Sequence, residues 1–408
     1  MACVLTHASR ALASTASVDM SALVAIDNTK PRFNTSGQVM DAHDGSYARW
    51  EPDGDWYYYA MGYGRCVQGR DRCQHGCGYG FSWVGVWRSP DLRNGTWTLV
   101  REARDASWPR WSADNSSSGI YFRPHVIFCR QTQQYVLWMS TWFAPQCPDG
   151  SQSCWMVGVS RSQDGPFRYS GAVAGRFAGG GDFDLLVDHD DTAYIIYTST
   201  AQGHRMSVER LSDDYLRPIG YGNGEGPSNT SSGLFGAGFV EAPAIFQRGS
   251  VYYAMFGKCC CFCGQGTGVG VYTGSKPLGP FTFRHNIGCG GARLPAGCGC
   301  GMNEDPLRSC PDRYGNSTTH AQQNVVCMCV CVCDSLSVSD SCVSLPQVFP
   351  VHTSSGVKYI WTGDRWQSSP SGVKAEDRQY WTPLQFSFDA QAQLELPQPL
   401  EWVDAFEL

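Results

Sequence analysis

The chain of 408 residues has a net charge of −6, and 13% of its residues are aromatic while only 17% are charged. With 46 Gly and 22 Pro, this composition is typical of a folded, turn-rich, all-β protein. A mild negative charge without any basic run argues against nucleic acid as a partner, and no apolar stretch is long enough to predict a membrane span.

Cysteines and glycosylation sequons indicate a secreted or lumenal glycoprotein with disulfides. The chain has 20 cysteines, and five Asn-Xaa-Ser/Thr sequons lie at Asn34, Asn94, Asn115, Asn229 and Asn316. Residues 1–37 form a poorly defined N-terminal segment. Residues 1–25 lack the uninterrupted apolar core of a signal peptide, so we expect the start to be truncated or altered. Outside residues 1–37 and 325–346, fourteen cysteines remain, an even number compatible with seven disulfides.

An approximate internal repeat organises the rest of the chain. Aromatic and β-branched runs, each after a polar turn, predict strands at 56–64, 134–141, 193–199, 251–257 and 358–363. A further candidate strand precedes each run, at 46–49, 126–129, 183–187, 244–246 and 348–351. Five copies of about four strands predict a single five-bladed β-propeller over residues 38–408, and a pair of β-sandwiches is the weaker alternative.

Residues 325–346, VVCMCVCVCDSLSVSDSCVSLP, do not fit the repeat. Their alternating Cys-Xaa-Cys spacing differs from the Cys-x2-Cys pairs of structural zinc sites. We interpret the segment as an insertion or translated non-coding sequence. The alternative is a redox or metal-binding loop, which would make the chain a Cys-rich metal-binding protein.

Acidic residues stand where the predicted blades begin. Glu241 lies between apolar residues in GFVEAPAIF, where desolvation would raise its pKa and suit it to general acid catalysis; the alternative is an edge-strand glutamate facing water. Asp182 begins blade three, although a turn aspartate before a strand is equally expected there. Blade one contributes His43 and Asp44. Because a propeller brings its inner strands together, these carboxylates predict the acid pair that glycosidic cleavage requires.

Five motifs occur in an order that resembles glycoside hydrolase family 43, within it the exo-β-1,3-galactanase branch. They are AHDGSYARWEPDGDWYYYAMGYG from residue 42, FRPHVIF from 122, GGDFDLLVDHDDTAYIIYTS from 180, VEAPAIF from 240 and GDRW from 363. The resemblance implies an inverting glycosidase in which Glu241 is the general acid and Asp182 the carboxylate that tunes its pKa. It also implies a carbohydrate substrate of the galactan, arabinan or xylan class.

The general base has two candidates. Asp44 stands where the wider family has a basic aspartate, whereas the galactanase branch commonly has glycine there and assigns a base-like role to a blade-five glutamine, here Gln322. Asp44 is favoured because a carboxylate accepts a proton from water more readily than an amide. Phe122 replaces a glutamate that the branch uses in sugar recognition, which weakens transfer of β-1,3-galactan specificity.

The remaining expectations concern binding and partners. His43, Arg123, Gln322, Arg365 and Trp366 are expected to bind the sugar, although Arg365 and Trp366 equally suit closure of the last blade. No cofactor is expected to be required; the family resemblance allows a structural cation near the axis, with His320 as a ligand, and a structural histidine is the alternative. We expect a monomer. The competing function is a non-catalytic carbohydrate-binding propeller or a decayed hydrolase.

Overall fold

The computed structural model describes residues 24–50, 54–67, 83–109, 120–142, 147–220, 227–258, 269–288, 348–353, 356–365, 368–398, 400 and 403–408. Within these ranges the regular elements are strands and two short 3₁₀ turns, Thr200–Gln202 and Lys374–Glu376. None of the helical segments described there has the length and hydropathy needed to cross a membrane. The predicted insertion at 325–346 lies outside the described residues.

Four antiparallel sheets have their four strands side by side in chain order. The first contains β2 (His43–Arg49), β3 (Trp56–Gly62), β4 (Trp83–Ser89) and β5 (Thr98–Glu102). The second contains β6 (Ile120–Cys129), β7 (Gln134–Trp142), β8 (Ser153–Ser160) and β9 (Arg168–Val173). The third contains β10 (Gly180–Val187), β11 (Ala193–Ser199), β12 (Arg205–Arg210) and β13 (Ser231–Phe235). The fourth contains β14 (Val240–Arg248), β15 (Val251–Lys258), β16 (Gly270–Gly274) and β17 (Thr282–Asn286).

The fifth sheet is described with three strands, β18 (Val348–Thr353), β19 (Gly356–Arg365) and β20 (Arg378–Pro383). A hairpin of β21 (Phe386–Asp389) and β22 (Leu394–Pro397) follows it. The first strand, β1 (Ala25–Asp27), pairs antiparallel with the last, β23 (Ala405–Glu407). The predicted five-bladed β-propeller is confirmed.

Middle strands are rich in aromatic residues because each is buried on both faces. Side chains alternate between the two faces of a strand, so Tyr57 and Tyr59 of β3 pack toward blade two while Tyr58 packs in the cluster that contains Phe349 and Trp381 of blade five. Comparable clusters lie between blades two and three, three and four, and four and five. These five clusters close the ring, which explains why the strands read as continuous apolar runs.

The cysteines do not all pair as the even count suggested. Cys147 and Cys154 form a disulfide with their Cα atoms 5.6 Å apart, and Cys66 is also disulfide-bonded. Cys129, by contrast, is a buried free thiol. Its Sγ lies 3.4 Å from the backbone oxygen of Asp213, so this cysteine serves packing between blades. The other cysteines of the predicted set lie outside the described residues.

Candidate active site

A β-bulge interrupts the inner strand of each of the first four blades. In each case three residue steps on the inner strand face two on its partner, and the bulges lie at His43/Ser46, Phe122/His125, Gly180/Phe183 and Glu241/Ala244. Asp44, Arg123 and Ala242 take left-handed backbone angles there, with φ of 54°, 51° and 56°. A bulge bends its strand and redirects a side chain out of the regular alternation. The same local device therefore presents side chains from separate blades to one region.

Glu241 lies at the start of β14 and is only 2% exposed. Its neighbours Val240 and Ala242 are also buried, as the apolar context in the sequence suggests. Nδ1 of His204 lies 2.9 Å from Glu241 Oε1. Glu241 is thus a buried carboxyl with an imidazole partner, and it does not face bulk water.

Asp182 joins the other two acids electrostatically. Burial raises the pKa of Asp182 well above its usual range, the Arg123 guanidinium opposes that shift, and the charges of Glu241 and Asp44 add to it. Arg123 Nη1 lies 3.2 Å from Asp182 Oδ2, and both side chains are almost fully buried. The structure therefore brings together three carboxyls from blades one, three and four and one guanidinium from blade two.

Asp44 lies in the bulge of β2 and accepts a hydrogen bond from the Tyr63 hydroxyl. Burial, followed by the negative charge of Asp364, raises its pKa to about 7, although Lys374, Tyr63 and His43 favour the ionised form. Asp44 therefore loses its proton near neutral pH, whereas an exposed aspartate loses it in acid.

A buried charge cluster lies beside Asp44. His43 Nδ1 is 2.9 Å from Asp364 Oδ2, and Lys374 Nζ is 3.0 Å from the same oxygen. Lys374 also lies 3.6 Å from Asp377, and all four side chains are buried. Burial would raise the pKa of Asp364, but the charges of His43 and Lys374 outweigh it and the pKa is lowered. His43 is therefore placed inside this cluster and is 0% exposed.

A second buried pair connects three inner strands. His125 Nδ1 on β6 lies 3.0 Å from Asp184 Oδ1 on β10, and the backbone N–H of Ile245 on β14 donates to Asp184 Oδ2 at 2.8 Å. Burial lowers the pKa of His125, although the hydrogen bond and the charge of Asp184 act in the opposite direction. Because Ile245 follows Glu241 by four residues, this contact fixes the strand that carries the carboxyl.

The remaining predicted residues are partly accounted for. Arg365 Nη1 donates to the backbone oxygen of Asn28 at 3.4 Å, and Asn28 Nδ2 donates to the backbone oxygens of Trp381 and Val403. This places Arg365 where blade five meets the N-terminal and C-terminal strands. Gln322, Trp366 and His320 lie outside the described residues. Within the described ranges, no group of three or more His, Cys, Asp and Glu side chains is arranged to hold a metal ion.

Comparison with known proteins decides the family. No protein of curated function matches the sequence. The family model "Glycosyl hydrolases family 43" matches residues 39–287, more than half of the chain. The chain belongs to glycosyl hydrolases family 43. The family predicted from the five motifs is thereby confirmed.

Solved structures of family 43 proteins share the fold. A β-1,3-galactosidase of the family has 20% identity and a TM-score of 0.61, covering 95% of this chain and 64% of that one. The exo-β-1,3-galactanase from Phanerochaete chrysosporium has 18% identity and a TM-score of 0.61, with 94% and 68% covered. The exo-β-1,3-galactanase from Clostridium thermocellum has 20% identity and a TM-score of 0.60, with 93% and 66% covered. The present chain thus spans about two thirds of their length.

Sequence reasoning missed four residues of this candidate site, namely His204, Asp364, Lys374 and Tyr63. Asp364 falls within the GDRW motif and so had a signal there, and Asp184 was visible beside Asp182 as an acidic residue at the start of blade three, without an assigned role. Lys374 and His204 had none. Both lie in short connections whose position depends on packing against another part of the chain.

Proposed function

We propose that the chain is an inverting glycoside hydrolase in which Glu241 is the general acid, Asp182 tunes it and Asp44 is the general base. The observation that carries this proposal is the buried position of Asp182, where it interacts electrostatically with both Glu241 and Asp44. Inverting hydrolysis needs one carboxyl that protonates the leaving oxygen and another that activates water on the opposite face.

The charge balance of the site supports an acid that stays protonated. Three buried carboxyls meet one guanidinium, Arg123, which contacts Asp182. Like charges in a poorly solvated site disfavour full ionisation, so the group of carboxyls retains a proton near neutral pH. Glu241, held by His204, is the member that would deliver this proton to the glycosidic oxygen.

Asp44 would take the proton of the attacking water. Its raised pKa, about 7, makes it a stronger base than an exposed aspartate and restricts its ionised form to neutral and alkaline pH. Tyr63 orients this carboxyl through a hydrogen bond. Gln322 remains the alternative base, as the resemblance to the galactanase branch implies.

The substrate we propose is a plant- or algal-type polysaccharide of the galactan, arabinan or xylan class. Similar structures are described as β-1,3-galactosidase and exo-β-1,3-galactanase, which favours galactans within that class. We further propose a monomer in a secreted or lumenal location; the Cys147–Cys154 disulfide supports the location, since such bonds persist in oxidising compartments. If a structural cation binds near the propeller axis, we propose that His320 is one of its ligands.

The test is product analysis on galactan, arabinan and xylan oligosaccharides, with ¹H NMR of the first anomer released. Release of a sugar whose anomeric configuration is opposite to that of the cleaved bond supports the proposal, whereas retention contradicts inversion.

The second candidate function is a carbohydrate-binding propeller without activity. It is favoured by Phe122, a buried apolar residue at the blade-two bulge. That candidate predicts glycan binding with no product from any member of the panel.

A further inference from the structure

His204 is a mostly buried histidine in a loop, and it contacts the proposed acid, Glu241. It follows the 3₁₀ turn Thr200–Gln202 and directly precedes β12 in blade three. Its Nδ1 lies 2.9 Å from Glu241 Oε1, and its side chain is 12% exposed. A hydrogen bond of this length between an imidazole and a carboxyl fixes the orientation of both groups.

The surrounding backbone holds the imidazole in place. The N–H of Phe239 donates to Gly203 O at 2.9 Å, and the N–H of Val240 donates to His204 O at 2.9 Å. The His204 ring stacks on the Phe239 ring with centroids 5.4 Å apart and planes inclined by 10°. His204 and Phe239 both take left-handed φ values, 54° and 56°. Two uncommon backbone conformations thus meet directly before the strand that begins with Val240 and Glu241.

We propose that His204 is a positioning residue that holds the Glu241 carboxyl through Oε1 and so makes Oε2 the oxygen that donates the proton. This inference rests on the proposed function of Glu241. Nδ1–H donates to Oε1 while the acid proton is on Oε2; when that proton passes to the leaving oxygen, the new carboxylate keeps the same donor. Both the neutral and the protonated imidazole can supply this N–H.

Charged groups from several elements lie near Glu241. They determine how replacing His204 changes the pH dependence of hydrolysis. Asp182 on β10 interacts with Glu241, Arg123 on β6 contacts Asp182, and Asp44 on β2 interacts with Asp182. These groups stay when His204 is replaced. Because a donor hydrogen bond favours the ionised carboxyl, its loss extends the protonated form of Glu241 to higher pH. The alkaline limb of the pH profile of kcat/KM should therefore shift to higher pH.

The experiment compares His204→Ala and His204→Asn with the unaltered chain, using phenyl and 2,4-dinitrophenyl β-D-galactosides. Asparagine tolerates left-handed φ and places a donor on its δ atom, so it can replace Nδ1–H. His189 offers a matched control, because its Nδ1 also contacts a carboxyl, Asp188, at 2.7 Å, but its side chain is 78% exposed. Glu241→Gln is measured in parallel.

We expect His204→Ala to lower kcat for the phenyl galactoside about 10- to 100-fold, the cost of a misplaced catalytic group. The loss for the dinitrophenyl galactoside should stay within about threefold, because that leaving group departs without a proton. His204→Asn should regain most of the phenyl rate and the original alkaline limb, and His189→Ala should behave as the unaltered chain.

Equal losses on the two substrates, or no loss on either, would overturn the inference about His204. If Glu241→Gln lowers the phenyl rate while His204→Ala leaves the leaving-group dependence unchanged, only this inference fails. If Glu241→Gln leaves the phenyl rate unchanged, or if neither the aryl galactosides nor the matching aryl arabinosides and xylosides are hydrolysed by any form, the proposed function of Glu241 fails and the inference falls with it.

Discussion

Single residues of the site differ in how far the sequence could predict them. Glu241, Asp182 and Asp44 each lie in a motif with recognisable neighbours, so the sequence alone predicts that they converge. The Lys374 contact with Asp364 and the His204 contact with Glu241 join residues 10 and 37 positions apart. Such contacts depend on how connections pack between blades, and a single sequence does not encode that in a local pattern.

Asp44→Asn tests the base at the scale of one residue. If Asp44 activates water, hydrolysis should rise as pH passes about 7, where this carboxyl ionises. The variant should lose that rise and about 10²- to 10⁴-fold in kcat. Rates measured from pH 5 to 9 would check this. An unchanged profile would assign the base role to another group, such as Gln322.

The pH dependence of stability tests the protonation of Asp44 independently. A folded pKa raised from 3.8 to about 7 means that the folded chain binds the proton more tightly than the unfolded chain. The carboxyl therefore costs stability increasingly as pH rises from about 4 to 7. Asp44→Asn removes this cost, so its melting temperature relative to the unaltered chain should increase over that range. A constant difference would show that Asp44 is ionised throughout.

At the scale of the strand, the sequence located the aromatic middle strands better than the inner ones. The run at 56–64 corresponds to β3 at Trp56–Gly62, whereas the inner strand predicted from residue 46 begins at His43 and that predicted from 244 begins at Val240. The bulges explain the difference. One extra residue breaks the alternation of side chains, and Gly45 and Pro243 within the bulges look like the end of a strand.

Gly45→Ala tests the bulge beside Asp44. A Cβ on Gly45 would lie 1.7 Å from the backbone oxygen of Tyr59, so the strands must separate to admit it. We expect a loss of about 1–3 kcal/mol in the free energy of unfolding, typical of overpacking, together with reduced hydrolysis. Gly220→Ala is the control, since its Cβ would meet Thr230 Oγ1 at 3.4 Å, an ordinary contact. Denaturant titration of both variants would measure the difference, and equal effects would contradict this account of the bulge.

At the scale of the whole molecule, the site exists only because the ring closes. Asp44, Arg123, Asp182 and Glu241 lie on the inner strands of four successive blades, and the fifth blade meets the first through the cluster of Tyr58, Phe349 and Trp381. Fivefold recurrence of strand patterns was enough to predict this closure. The pairing of β1 with β23 was not predicted, because three-residue strands carry little periodic signal.

The central claim is that Glu241 donates the proton, and the kinetics of Glu241→Gln test it most directly. Glutamine keeps the shape of the side chain but cannot act as the acid. Glu209 is a matched control, because burial raises its pKa to about 7 as well, yet it contacts Tyr197 and Arg176 away from the three acids. We predict that Glu241→Gln lowers kcat for a substrate with a poor leaving group by about 10²- to 10⁴-fold, while Glu209→Gln stays near the unaltered rate. An unchanged rate for Glu241→Gln in a folded protein would contradict the assignment.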